Sequence, residues 1–363
     1  MKPRLYDRNM GSVDVLENAT QISYVHKLND LYSAKFKLPV MDAKNSLCSY
    51  RSIVDIFDGD TSAGKYRIIG SPETDISARG SYIEYNCEHA IAFLMDDVID
   101  GSISYGDGQT IKWTEDIIND ILSKQTVQRW QLGTCDWHLY SYKYTFENTN
   151  LLDMLFSIPK AITDRYHWTY DTTTYPWTIN LVQRSLSYSC GVNRGTNLVE
   201  LRRSVDPSSF ANRLYCRGKD DLTISSVNSG LNYIENASSI SSYGLVCGHY
   251  IDKSESDASM LKAKAQYALA SSVDSINPKY SVRVVDLYKT TGDEWYNIEE
   301  GKMVHLQDAS NGINASLLVT EVRKDDVDGD PLDKSITLGN AVPTTSAALS
   351  IENLTYKITH GMI

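Results

Sequence analysis

Gly59-x-x-x-x-Gly64-Lys65 is the segment of this chain nearest to a catalytic motif. A phosphate-cradling loop needs Ser or Thr after the lysine to hold magnesium, and a helix N-terminus to face the phosphate. Here Tyr66 follows, and YRIIG reads as strand. The segment is therefore expected to be a hairpin turn. Asp326-Val-Asp328-Gly-Asp330-Pro331 places three carboxylates at the alternate spacing of a calcium loop. Its glycine comes too early, Pro331 takes the glycine position, and Thr337 stands where a bidentate Glu is required. An acidic β-turn is expected. The histidines at 26, 89, 138, 167, 249, 305 and 360 are scattered, with no H-E-x-x-H. Glu88-His89 and Asp136-x-His138 read as ordinary polar contacts. No G-x-S-x-G elbow occurs. The cysteines at 48, 87, 135, 190, 216 and 247 form no C-x-x-C and fit free, mostly buried thiols of a reducing cytosol. The residues thus point to no catalytic group, no metal and no cofactor.

The elements around these positions alternate between strand and helix signals. In residues 1–106, Phe36, Leu38 and Val40 alternate as in a half-buried strand. SIVDIF (52–57) and KYRIIG (65–70) flank DGDTSAG, a hairpin signal, and SYIEYNC (81–87) adds a strand. GSISYGDG (101–108) reads as a hinge. In 107–197, WTEDIINDILSK reads as a helix capped by Thr114, with Ile117, Ile118, Ile121 and Leu122 on its apolar face. A second helix begins near Asn150 and ends at Pro159, and HWTYD (167–171) pairs with WTINLV (177–182). In 198–345 the β character returns. It is interrupted by a helix at 254–273, expected to open on a capping box Ser254-x-x-Asp257 with a stripe of Ala258, Leu261, Ala265, Leu269 and Ser272. Tyr280, Val282, Val284 and Leu287 alternate through the next strand, with Val285 breaking strict alternation. Residues 346–363 form a Ser/Thr/Ala-rich tail.

Composition narrows the class. The chain has 363 residues and a net charge of −11, the opposite of a nucleic-acid-clamping surface. No apolar run is long enough to span a bilayer, and no apolar segment follows the basic start as in a secretory signal. The 24 tyrosines, against 6 Phe and 6 Trp, suit half-buried strands. The fold class expected is α+β and β-rich, with β units at 1–106 and 198–345 flanking an α+β unit at 107–197.

Residues 208–250 carry Asn212-Arg213-Leu214-Tyr215 near one end and Ser241-Ser242-Tyr243-Gly244 near the other. An amphipathic helix and the strand KYSVRVVDLY follow. Upstream are LENATQISYVHKLNDLYSAKFKLPV with its Leu28-Asn29 turn, and WQLGTCD (130–136) with its Trp-x-x-Gly. Downstream is Gly301-x-x-Val304-x-Leu306-x-Asp308. In this order the sequence resembles the tail-associated hub proteins of bacteriophages, the "prophage endopeptidase tail" family. Asn212, Arg213, Tyr215, Tyr243, Gly244 and Gly301 are the signature residues, with structural roles. Lys302 departs from the acidic residue expected after Gly301.

The resemblance implies two small antiparallel β-barrels with intervening α/β parts, as in the phage baseplate hub. It also implies a homotrimeric ring at the virion tail tip, made in the bacterial host cytoplasm. Such a ring joins the tail tube and distal tail protein to the tip and gates the DNA channel. The tape-measure protein and receptor-binding or fibre proteins would be further partners. Family members often continue into hydrolase or fibre modules. Nothing of that kind follows here, so the expectation is a protein that catalyses no reaction. A cell-wall hydrolase or peptidase, and a carbohydrate- or receptor-binding module, are the alternatives.

Overall fold

The computed structural model describes residues 1–77, 80–105, 113–137, 144–160, 165–205, 210–252, 255–270 and 278–339. The expected tail at 346–363 and Ser254 and Ser272 lie outside them.

The first part of the chain is mostly strand: β1 (Arg4–Tyr6), β2 (Ser12–Val15), β3 (Thr20–Lys27), β4 (Ser33–Pro39), β5 (Ile53–Asp58), β6 (Thr61–Ser77) and β7 (Gly80–His89). The middle holds β8 (Ser102–Tyr105), α1 (Thr114–Ser123), β9 (Trp130–Cys135), β10 (Tyr144–Glu147), α2 (Leu151–Lys160), β11 (Tyr166–Asp171) and β12 (Trp177–Gln183). The last part contains β13 (Cys190–Asn193), β14 (Leu198–Val205), β15 (Arg213–Arg217), β16 (Tyr233–Glu235), α3 (Ala237–Tyr243), β17 (Cys247–Ile251), α4 (Ala258–Ala268), β18 (Pro278–Val285), α5 (Tyr288–Thr291), β19 (Met303–Asp308), β20 (Ile313–Lys324) and β21 (Asp333–Gly339).

The molecule is mostly β-sheet with few helices. The strand sets at the two ends of the sequence are one sheet of 13 strands, because β20 pairs with β3 across Val322↔His26 and Lys324↔Tyr24. The path runs β14-β18-β21-β20-β3-β4-β7-β6-β5-β1-β2, with β19 also pairing β20 and β13 pairing β19. Among the described residues this path does not close, so no closed barrel is drawn by the ladders. Each half nevertheless has its own core. Leu5, Phe36, Leu38, Val54, Ile56 and Tyr66 fill one, and Val192, Val282, Val284, Leu306, Val319 and Ile336 fill the other. Alternation explains the sides: β4 buries Ala34, Phe36 and Leu38 and exposes or half-exposes the residues between. Between the halves, α1 and α2 pack with the small sheet β11-β12-β9 around Trp130, Trp168 and Trp177.

Several local expectations are corrected. The hairpin strands continue through most of DGDTSAG, since Asp58 pairs with Thr61 and only Gly59-Asp60 make the turn. The expected hinge at 101–108 contains β8, paired with β10. Thr114 does not cap α1. It is buried in the first turn, while the Asp116 carboxylate accepts from the Trp113 N–H at 3.2 Å. Helix α4 is capped by Asp257 itself, which accepts from Met260 N at 2.7 Å. Its buried surface is also wider than the expected stripe. Leu261, Ala265 and Leu269 enter a core under β15, and Met260 and Ala263 enter the middle core. Helix α3 was not expected; Asn236 caps it by accepting from Ser238 N and Ser239 N.

Candidate functional site

Where β3 meets β20, charged side chains occupy inward-facing positions. In β20, Val322 and Lys324 point to the same side; in β21, Lys334 and Ile336 do so; after β18, Asp286 continues the parity of Val284. Lys324 is fully buried and its Nζ lies 2.9 Å from Asp286 and 3.8 Å from Asp58. Lys334 Nζ is also 2.9 Å from Asp286. Lys324 donates a further bond to the Pro331 carbonyl at 2.7 Å. Asp58 closes the network from the first half: it pairs with Lys289 and accepts from Tyr24 Oη at 3.1 Å. Burial alone would raise the Asp286 carboxyl, but the two ammonium groups outweigh it and hold it below the usual range. Burial pulls the Lys324 ammonium down against the attraction of Asp286 and Asp58.

A second cluster lies where all three parts meet. Tyr32 donates to Glu300 at 2.5 Å, and the other oxygen of Glu300 is 3.7 Å from His26 Nδ1. His26 Nε2 sits 2.9 Å from Tyr66 Oη, and its ring stacks on Tyr32 at 4.2 Å. Tyr32, Tyr66, Tyr170 and Trp130 surround the buried His89. Burial would raise Glu300, but His26 and the Tyr32 hydroxyl keep it below its ordinary value. Burial pushes His89 down to about 3 and His167 to about 4, so both imidazoles are neutral near pH 7. Asn29 completes the junction. From the turn after β3 it accepts from Trp168 N at 3.0 Å and donates to the Tyr166 carbonyl at 3.3 Å, tying the first half to β11.

The signature residues fall in two places. Asn212 is fully buried, donates to the Gly244 carbonyl at 2.7 Å and accepts from Val246 N at 2.8 Å. Arg213 forms a fork on Glu235 at 2.8 and 2.5 Å and stacks on Tyr233. Tyr215 packs edge-on to the same Tyr233, and the exposed Tyr243 meets Phe210. These five therefore knit the small sheet β16-β15-β17. Gly301 lies apart, at φ +83°, under His167 in the three-way junction.

Chemically these groups hold elements together. The thiols of Cys48, Cys135, Cys190 and Cys216 are pushed up by burial, to about 12, 11, 11 and 11. Lys65, of the phosphate-loop-like segment, is buried on Asp55 at 2.7 Å. Asp326 turns inward to accept from Asp328 N and Gly329 N, as an acidic turn does. No cluster of three metal-ligating side chains occurs among the described residues. Motif reading overlooked Lys324, Asp286 and Glu300. The signal for the first two was a charge on the inward parity of an apolar strand; Glu300 sits in a loop and had none.

The sequence over residues 191–348 matches the family described as prophage endopeptidase tail. No curated protein matches the sequence. Solved structures share its fold along nearly its whole length at low identity. The prophage tail protein gp18 of Listeria monocytogenes EGD-e is 16% identical with TM-score 0.58, covering 98% of this protein and 100% of its own length. A tail protein of Neisseria meningitidis MC58 is 12% identical with TM-score 0.65, covering 97% and 99%. The E. coli c3393 protein, a type VI secretion component described as similar to the T4 tail proteins gp27 and gp5, is 9% identical with TM-score 0.52, covering 91% and 74%. Residues 191–348 thus resemble the prophage endopeptidase tail family, on a fold shared with phage tail proteins.

Proposed function

We propose that this protein is a structural hub of a phage or prophage tail tip. Three copies form a ring whose two sheet halves act as barrel-like units. The ring joins the tail tube and distal tail protein to the tip and gates the DNA channel. Tape-measure and receptor-binding or fibre proteins would contact it, and its place is the virion tail. The observation that carries this reading is the fold shared end to end with prophage tail proteins, joined to the family match at 191–348. The buried polar seam supports it, because it locks both sheet halves and the middle unit into one block suited to bearing load.

The reading includes that no reaction is catalysed. Neutral buried imidazoles and thiols pushed above the physiological range suit a framework. Size-exclusion chromatography with light scattering tests the ring: a mass three times that of the monomer is expected, with a central opening in negative stain. A strictly monomeric protein that also fails to bind the distal tail protein would sink it. A zymogram on host cell walls tests the catalytic half of the statement, and clearing would overturn it.

A further inference from the structure

Beside the middle unit, a cleft of about 330 Å³ is lined by Phe93, Arg8, Arg51, Arg129, Asp96 and Asp97. Three guanidiniums gather on the one ring of Phe93: Arg129 at 4.4 Å from its centroid, Arg67 at 5.0 Å and Arg51 at 5.7 Å. Their partners are unequal. Arg67 is buried and bound to Glu88 at 2.6 Å and Asp96 at 2.8 Å. Arg51 shares the same Asp96. Arg8 is exposed and reaches only the Tyr50 carbonyl, at 3.0 Å, among the described residues. Arg129 pairs with no carboxylate among the described residues, and its Nη1 is buried with no hydrogen-bond partner there. Burial and the neighbouring Arg51 and Arg67 charges both disfavour the Arg129 cation.

The lining therefore lacks one negative charge: three guanidiniums face two carboxylates. We propose that this cleft is a binding site for a singly charged carboxylate on an apolar stem, held by Arg129 and Arg8. A guanidinium lying against an aromatic face keeps its in-plane N–H edge free for two parallel bonds to a carboxylate. The stem rests on Phe93 and on Val127, which is half-exposed at the rim. A phosphate dianion suits the site less, because Asp96 and Asp97 would repel its second charge. The carboxylate comes either from a Glu side chain within a polypeptide or from the free carboxyl terminus of one.

Isothermal titration of the full-length protein with acetyl-Ala-Glu-Ala-amide, with acetyl-Ala-Leu as the free acid, and with inorganic phosphate tests this. At least one carboxylate peptide binds, and the tighter of the two names the source. Arg8→Gln and Arg129→Gln each weaken that binding by about tenfold or more, the loss expected for one charge-assisted partner. Arg8 is exposed, so its variant keeps the fold and the test survives even where Arg129→Gln does not. Absence of binding by both peptides, unchanged affinity in Arg8→Gln, or tighter binding of phosphate than of either peptide overturns the proposal.

Discussion

At the scale of single residues, Asn212 is the signature position whose side chain satisfies the backbone. Asn212 both donates and accepts, so one amide holds the turn at Gly244 and the start of β17. Its identity was legible in the sequence; its partners, 32 and 34 residues away, were not. Gly301 gives the clearest prediction. It sits at φ +83°, and a Cβ there would lie 2.7 Å from His167 Nε2. Gly301→Ala is expected to lower stability by about 2–4 kcal/mol, from left-handed backbone strain plus overpacking. Urea unfolding checks it. Adding His167→Ala should recover the overpacking share and leave the strain; no recovery at all would refute the contact with His167 as the cause.

Elements were read well where one face alone met a core. Strands β4 and β18 and helices α1 and α2 follow their apolar periods. The miss in α4 has a definite cause. The helix lies between two cores, so Met260 and Ala263 are buried on a second face beside Leu261 and Ala265, which a single stripe does not reveal. Helix α3 was missed because Ser-rich sequence reads as loop, and only the Asn236 cap and the packing of Ser239 make it helical. Asp257 caps α4 alone, so Asp257→Ala should cost about 1 kcal/mol. Helical hydrogen exchange confined to 258–268 should rise in that variant; an unchanged exchange pattern would remove the cap from the account.

For the whole molecule, the buried histidines make stability depend on acid. Unfolded, His89 and His167 take up protons below their ordinary value of 6.5; folded, they do so only near 3 and 4. Between these limits the unfolded state binds more protons, so stability falls as pH falls from about 6.5, by about 1.4 kcal/mol per unit for each histidine. Glu300 and Asp286, held low, add their loss only below the ordinary carboxylate range. Urea midpoints that stay flat between pH 6.5 and 4.5 would contradict this. The sequence by itself determined the β-rich class, most strand and helix positions and the family likeness, because these rest on local period, turn chemistry and short signatures. Only the tertiary structure decided that the two strand sets join as one sheet through β3 and β20, and that Lys324, Asp286 and Asp58 meet at that joint. Strand pairing across some 300 residues is set by which buried surfaces and charges match once the polypeptide has folded back on itself, and nothing local in the sequence encodes that match.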